Sequence, residues 1–133
     1  MPQNITKGIK ALLAEANAMV DTMSVEDAKE KAQDESYVFV DLRDIRELQR
    51  SGMIPGAFSC PRGMLEFWID PDSPYHKPIF NQDNTYVFYC ASAWRSALSA
   101  RAAMEMGLSP VMHLEGGFTK WAEEGGAVVP RES

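Results

Sequence analysis

The residue in this chain with the most chemistry to offer is Cys90, which stands where the apolar run Thr85–Tyr89 (TYVFY) ends and the segment Ala91-Ser92-Ala93-Trp94-Arg95-Ser96 begins. A cysteine is either an inert, buried small hydrophobe or, in an electropositive place such as a helix start, a reactive thiolate. Burial alone does not call for three small residues followed by Trp94 and Arg95. If a helix starts near Arg95, its first amides lack intrahelical partners and can point at the sulfur. Those donors and the helix dipole favour a thiolate over a thiol without a histidine base, and Arg95 adds a fixed positive charge. A nucleophile for covalent catalysis is therefore expected at Cys90. A second pair, Asp41 and Arg43, ends another apolar run and can either tune the site or form a structural ion pair. Two cysteines and two histidines, spaced far apart, make no zinc pattern, and no metal or cofactor is expected.

The elements that must position these residues are legible in outline. Ile5, Ile9, Leu12, Leu13, Ala16, Met19 and Val20 recur at spacings of three and four, which predicts an amphipathic helix over 5–20. We read residues 1–22 as an N-terminal helical extension and 23–133 as the domain proper. The extension can fold back on the sheet or mediate self-association, so the oligomeric state stays open. Ser24 to Asp27 has the form of a capping box opening a helix to about Ala32. Tyr37–Val40 and Thr85–Tyr89 are continuous apolar runs, as strands covered on both faces require. A helix over 44–50, turn chemistry over 52–57, and strands at 57–60 and 111–114 complete the alternation, with a helix over 95–106 closed by Gly107 and another over 118–122. Strands alternating with helices imply an α/β fold: a small parallel sheet of about five strands with helices on both faces. In such sheets, sites lie outside the carboxyl ends of the strands, where Cys90 sits.

Composition narrows the partners. The 133 residues, 45% hydrophobic and 24% charged, suit one globular domain. Thirteen basic against nineteen acidic residues give a net charge of -6, which argues against nucleic acid or an anionic membrane as partner. The N-terminus has no signal-peptide core, and no apolar run nears the roughly 18 residues that span a bilayer, so a cytoplasmic location is expected. In that reducing setting both cysteines are expected as thiols.

Four motifs, in order, resemble the rhodanese (sulfurtransferase) family from about Ser24 to Pro130. Asp41, Arg43 and Glu47 match Asp-x-Arg-x3-Glu. Gly52, Ile54, Pro55, Gly56 and Ala57 match Gly-His-Ile-Pro-Gly-Ala, with Met53 in place of histidine. Cys90, Arg95 and Ser96 match Cys-x4-Arg-Ser, and Leu114, Gly116, Gly117 and Trp121 match Leu-x-Gly-Gly-x3-Trp. The resemblance implies sulfur transfer: Cys90 takes the outer sulfur of a donor such as thiosulfate, carries it as a persulfide, and yields it to cyanide or a thiol, with a protein acceptor also in range. Residues 91–95 would supply amides to the charged sulfur, and Arg95 would stabilise the loop and attract the donor. Related phosphatases use Cys-x5-Arg, a wider cradle for phosphate, so Cys-x4-Arg favours sulfur. The family often has glycine where this chain has Ala93, which puts an alanine at a position that can require a left-handed backbone.

Around the loop, Trp94 can wall the entrance or pack on a neighbouring helix. The segment 61–78, with four prolines, is a long ordered loop with a helical turn at 64–68, and Arg62, Lys77 and Trp68 are candidates for the donor pocket. His113 is read as structural. Cys60 is read as buried, two strand spacings from Cys90 in the rhodanese-like order and too far for a disulfide. The alternatives are a rhodanese-fold binding or sulfur-carrier module that does not turn over, and a phosphatase or arsenate reductase on the same fold.

Overall fold

The computed structural model describes residues 2–131. Met1, Glu132 and Ser133, the outer ends of the two expected units, lie outside the described residues. Five strands, β1 (Asp21–Met23), β2 (Tyr37–Asp41), β3 (Phe58–Ser59), β4 (Thr85–Tyr89) and β5 (Val111–Leu114), form one parallel sheet in the order β1-β5-β4-β2-β3. Six helices accompany them: α1 (Ile9–Met19), α2 (Val25–Lys31), α3 (Ile45–Ser51), α4 (Leu65–Ile69), α5 (Trp94–Met106) and α6 (Gly117–Glu123).

The central strands show why both faces need cover. Along β4, Tyr86 and Phe88 enter one core with Val40, Leu65, Ala100 and Ala103, while Val87 and Tyr89 enter the other with Phe39, Ala28, Phe118 and Trp121. Alternate side chains point to opposite faces, so an unbroken apolar run demands a layer on each side. Helices α4 and α5 supply one layer, with α1 lying on α5, and α2 and α6 supply the other.

Local chemistry sets the helix ends. Ser24 caps α2 by accepting from the Asp27 amide, and Asp44 and Glu47 complete a reciprocal capping box on α3. Gly107 takes the left-handed conformation that closes α5, and its φ of 104° suits glycine.

Two features differ from the periodicity reading. The first helix starts at Ile9 rather than residue 5: Gly8 is its N-cap without a side-chain bond, and Ile5 is exposed. The strand β1, three residues long, has only Met23 buried, so it carries no alternation to read. It forms because β5 offers it an edge, with Asp21, Thr22 and Met23 facing Met112, His113 and Leu114. The expected division after residue 22 thus falls inside β1. The first helix lies on α5, with Ala16 and Val20 buried and Glu15 paired to Arg101 at 3.0 Å. Among the described residues, no helix is long and apolar enough to cross a membrane.

Candidate active site

The loop after β4 is clamped from beneath before it turns. The Tyr89 carbonyl accepts from the Leu42 amide at 2.9 Å, the Cys90 carbonyl from Phe118 at 2.7 Å, and the Ala91 carbonyl from Thr119 at 3.1 Å. The last two donors are orphan amides of the α6 N-terminus. Their approach explains Gly117: a Cβ there would lie 2.5 Å from the Cys90 carbonyl oxygen. The Gly-Gly turn is thus the seat on which the loop rests.

Above that seat the chain reverses within Cys90–Ala93, and α5 starts at Trp94. Ala93 is at φ 80°, left-handed, and is the one positive-φ residue other than glycine among the described residues. The strain anticipated at this alanine is present, at a cost of about 1 kcal/mol. It lets the helix begin immediately, which brings the Ser96 amide to 3.4 Å from Cys90 Sγ as donor. Cys90 itself is 1% exposed at the foot of this turn. Trp94 is 57% exposed.

Arg95 is committed elsewhere. Its fork meets Glu47 through two bonds of 2.8 Å, and Glu47 also accepts from the Asp44 amide at 2.9 Å. The Arg95 guanidinium, with smaller help from that amide and Arg43, holds the Glu47 carboxyl down at about 2 against burial. The pair ties the start of α5 to the start of α3, so Arg95 fixes the loop's geometry. Glu47 was legible as a motif member, but its role as the partner of Arg95 was not.

Asp41 and Arg43 form a buried ion pair with bonds of 3.0 and 2.8 Å. Arg43 also donates to Ser51 Oγ at 3.0 Å and the Gly52 carbonyl at 2.7 Å, and lies 4.2 Å from the Phe118 ring centroid. Every guanidinium nitrogen has an acceptor, so this pair knits β2, α3 and α6 together beneath the loop.

The 61–78 segment is ordered by its own contacts. After a 3-10 turn at Arg62–Met64 comes α4, and Arg62 bonds Glu66 at 2.8 Å. Lys77 lies over the Trp68 ring at 5.1 Å, and Trp68 packs edge-on against Phe58. The charges of Arg62 and Lys77 are therefore met within the segment. A separate cleft of about 420 Å³ touches Ala91, Phe118 and Thr119 and presents Arg50. Cys60 is buried in β3's extension, and burial pushes its thiol up to about 12. Both cysteines are free thiols, and β2 separates the strands that lead to them. His113 is buried, and burial lowers its pKa.

The rhodanese-like domain model matches residues 24–124. Among curated proteins, a sulfurtransferase of Allochromatium vinosum is 30% identical over 115 residues, 86% of this chain and 99% of that protein. A solved structure from Rhodopseudomonas palustris, of unknown function and termed a possible tyrosine phosphatase, superposes with a TM-score of 0.93 at 56% identity, covering 97% of this chain and 99% of that one. A rhodanese-related protein from Thermoplasma volcanium gives a TM-score of 0.69 at 27% identity, covering 84% and 99%.

Proposed function

Since the chain belongs to the rhodanese-like domain family, we propose that it is a sulfurtransferase that moves sulfane sulfur through a persulfide on Cys90. The observation that carries the reading is the loop itself: Ala93 is held left-handed so that α5 begins at once and the Ser96 amide reaches Sγ at 3.4 Å. The Cys90 thiolate attacks the outer sulfur of thiosulfate, the sulfur–sulfur bond breaks, and sulfite leaves with the electron pair. Cyanide or an acceptor thiolate then attacks the outer sulfur of the persulfide, and Cys90 leaves as thiolate with its electron pair, completing a ping-pong cycle. Loop amides stabilise charge on sulfur as an oxyanion hole does on oxygen. Arg50 in the cleft beside Ala91 provides the local attraction that an acidic protein needs for an anionic donor, whereas Arg62 and Lys77 are already engaged by Glu66 and the Trp68 ring. A reducing compartment such as the cytoplasm keeps Cys90 available.

Intact-protein mass spectrometry before and after thiosulfate tests this. A gain of one sulfur, abolished by Cys90→Ser and kept by Cys60→Ser, is the expected result; no gain in the wild type overturns the proposal. The relative termed a possible tyrosine phosphatase favours a second reading, hydrolysis of a phosphate ester at Cys90. The four residues between Cys90 and Arg95 make a tighter ring than phosphatase loops use, so turnover of para-nitrophenyl phosphate is expected to be absent.

A further inference from the structure

Behind the loop runs a line of polar groups, buried at Ser96 and His113 and reaching the surface at Thr22, that ties the motif serine to two residues outside the four motifs. Ser96 Oγ lies 3.1 Å from His113 Nδ1, and His113 Nε2 lies 3.3 Å from Thr22 Oγ1. Ser96 and His113 are both buried. Thr22 faces His113 across the β1–β5 register, so the ring is held between a strand edge and the first turn of α5. A neutral imidazole has one donor and one acceptor nitrogen, and a hydroxyl can rotate to serve either, so both contacts are satisfied together. Serines in helices commonly bond back to the preceding turn, as Ser99 does to the Arg95 carbonyl. Ser96 instead reaches across to β5.

We propose that His113 is a positioning residue for the chemistry at Cys90: by holding the Ser96 hydroxyl it fixes the first turn of α5 where the Ser96 amide meets Sγ, and Thr22 sets the orientation of the ring. The proposal rests on the sulfurtransferase reading. Sγ carries negative charge when the thiolate attacks the donor and again when Cys90 leaves the persulfide, whereas within the persulfide it is a neutral bridging atom. An amide aimed at Sγ therefore acts on the charge of both half-reactions, and a donor captured at the rim is not affected.

Two isosteres separate positioning from packing. Asparagine can place a polar atom where Nδ1 stands, keeping the Ser96 contact; glutamine reaches toward the Nε2 position and keeps only the Thr22 contact. The single-turnover rate of persulfide formation and the apparent KM for thiosulfate are measured on His113→Asn, His113→Gln, His113→Ala and Ser96→Ala. A displaced hydrogen bond to a charged acceptor is worth about tenfold in rate. His113→Gln, His113→Ala and Ser96→Ala are expected to lose about that factor with KM little changed, and His113→Asn to stay within about threefold of wild type. Equal losses in the Asn and Gln variants, or a Ser96→Ala/His113→Ala double variant whose losses multiply, would overturn the proposal. Should the alanine variant not fold, Thr22→Val keeps shape while removing the Nε2 partner, and an unchanged rate there also counts against it. A wild type that forms no persulfide defeats the sulfurtransferase reading instead. The rate of Cys90 alkylation by iodoacetamide then ranks the same variants, and the same order is required.

Discussion

At the scale of single residues, the loop shows how much a sequence can state about its own strain. Cys90, Arg95, Gly116 and Gly117 were legible because their spacing is fixed by the strand-to-helix turn and by the close seat of α6. Ala93 was legible as a conflict, and the structure retains it: φ is 80° at a residue with a Cβ. Glycine removes that penalty but brings its own conformational entropy to the unfolded chain, which returns part of the gain. Ala93→Gly is therefore expected to stabilise the protein by about 0.5 to 1 kcal/mol, read as a higher midpoint in urea at unchanged slope, with sulfur transfer equal to or above wild type. A lower midpoint would mean that the alanine methyl makes contacts worth more than the strain. The partners of His113 were not legible, because they lie 91 and 17 residues away in the chain.

Between elements, the Glu47–Arg95 pair is the main polar tie from α3 to the loop helix. Each residue was readable in its own motif, but their meeting is a tertiary fact set by the adjacency of β2 and β4. The linkage has a definite sign. The carboxyl of Glu47 is depressed from 4.5 to about 2 by Arg95, so its contribution is present above about 4.5 and is lost as pH falls toward 2. Since Arg95 is 42% exposed, solvent screening reduces the pair to about 1 kcal/mol. Glu47→Gln should thus be less stable than wild type by about that amount at pH 7. The gap should narrow between pH 4.5 and 2, a window set by the folded and unfolded values for Glu47. Urea titrations at pH 7, 4.5 and 3 check it, and a gap that stays constant across them would assign the loss to packing. The same variant should slow persulfide formation several-fold, because Arg95 then no longer anchors the first turn of α5.

For the molecule as a whole, the question is whether the N-terminal segment is an extension or part of the fold. Its apolar periodicity predicted the helix but could not say where it lies, since the exposed Ile5 and the buried Ala16 and Val20 belong to one stripe. We propose that residues 2–22 complete the domain. Val20 enters the same core as Val40, Tyr86 and Phe88. Loss of β1 would also bare the edge of β5, leaving backbone donors and acceptors unpaired and His113 without Thr22. A chain starting at residue 23 gives up the burial of Ala16 and Val20 and the two contacts of Glu15 with Lys7 and Arg101. Burial of the apolar side chains dominates that sum, at several kcal/mol, because exposed ion pairs add little. The truncated protein should therefore melt more than about 10 °C below the full chain by circular dichroism, and should tend to associate through the bared edge of β5. A truncated chain that melts within about 3 °C of the full one and stays monodisperse would show the segment to be a separable appendage, and would make the Thr22 end of the His113 line dispensable with it.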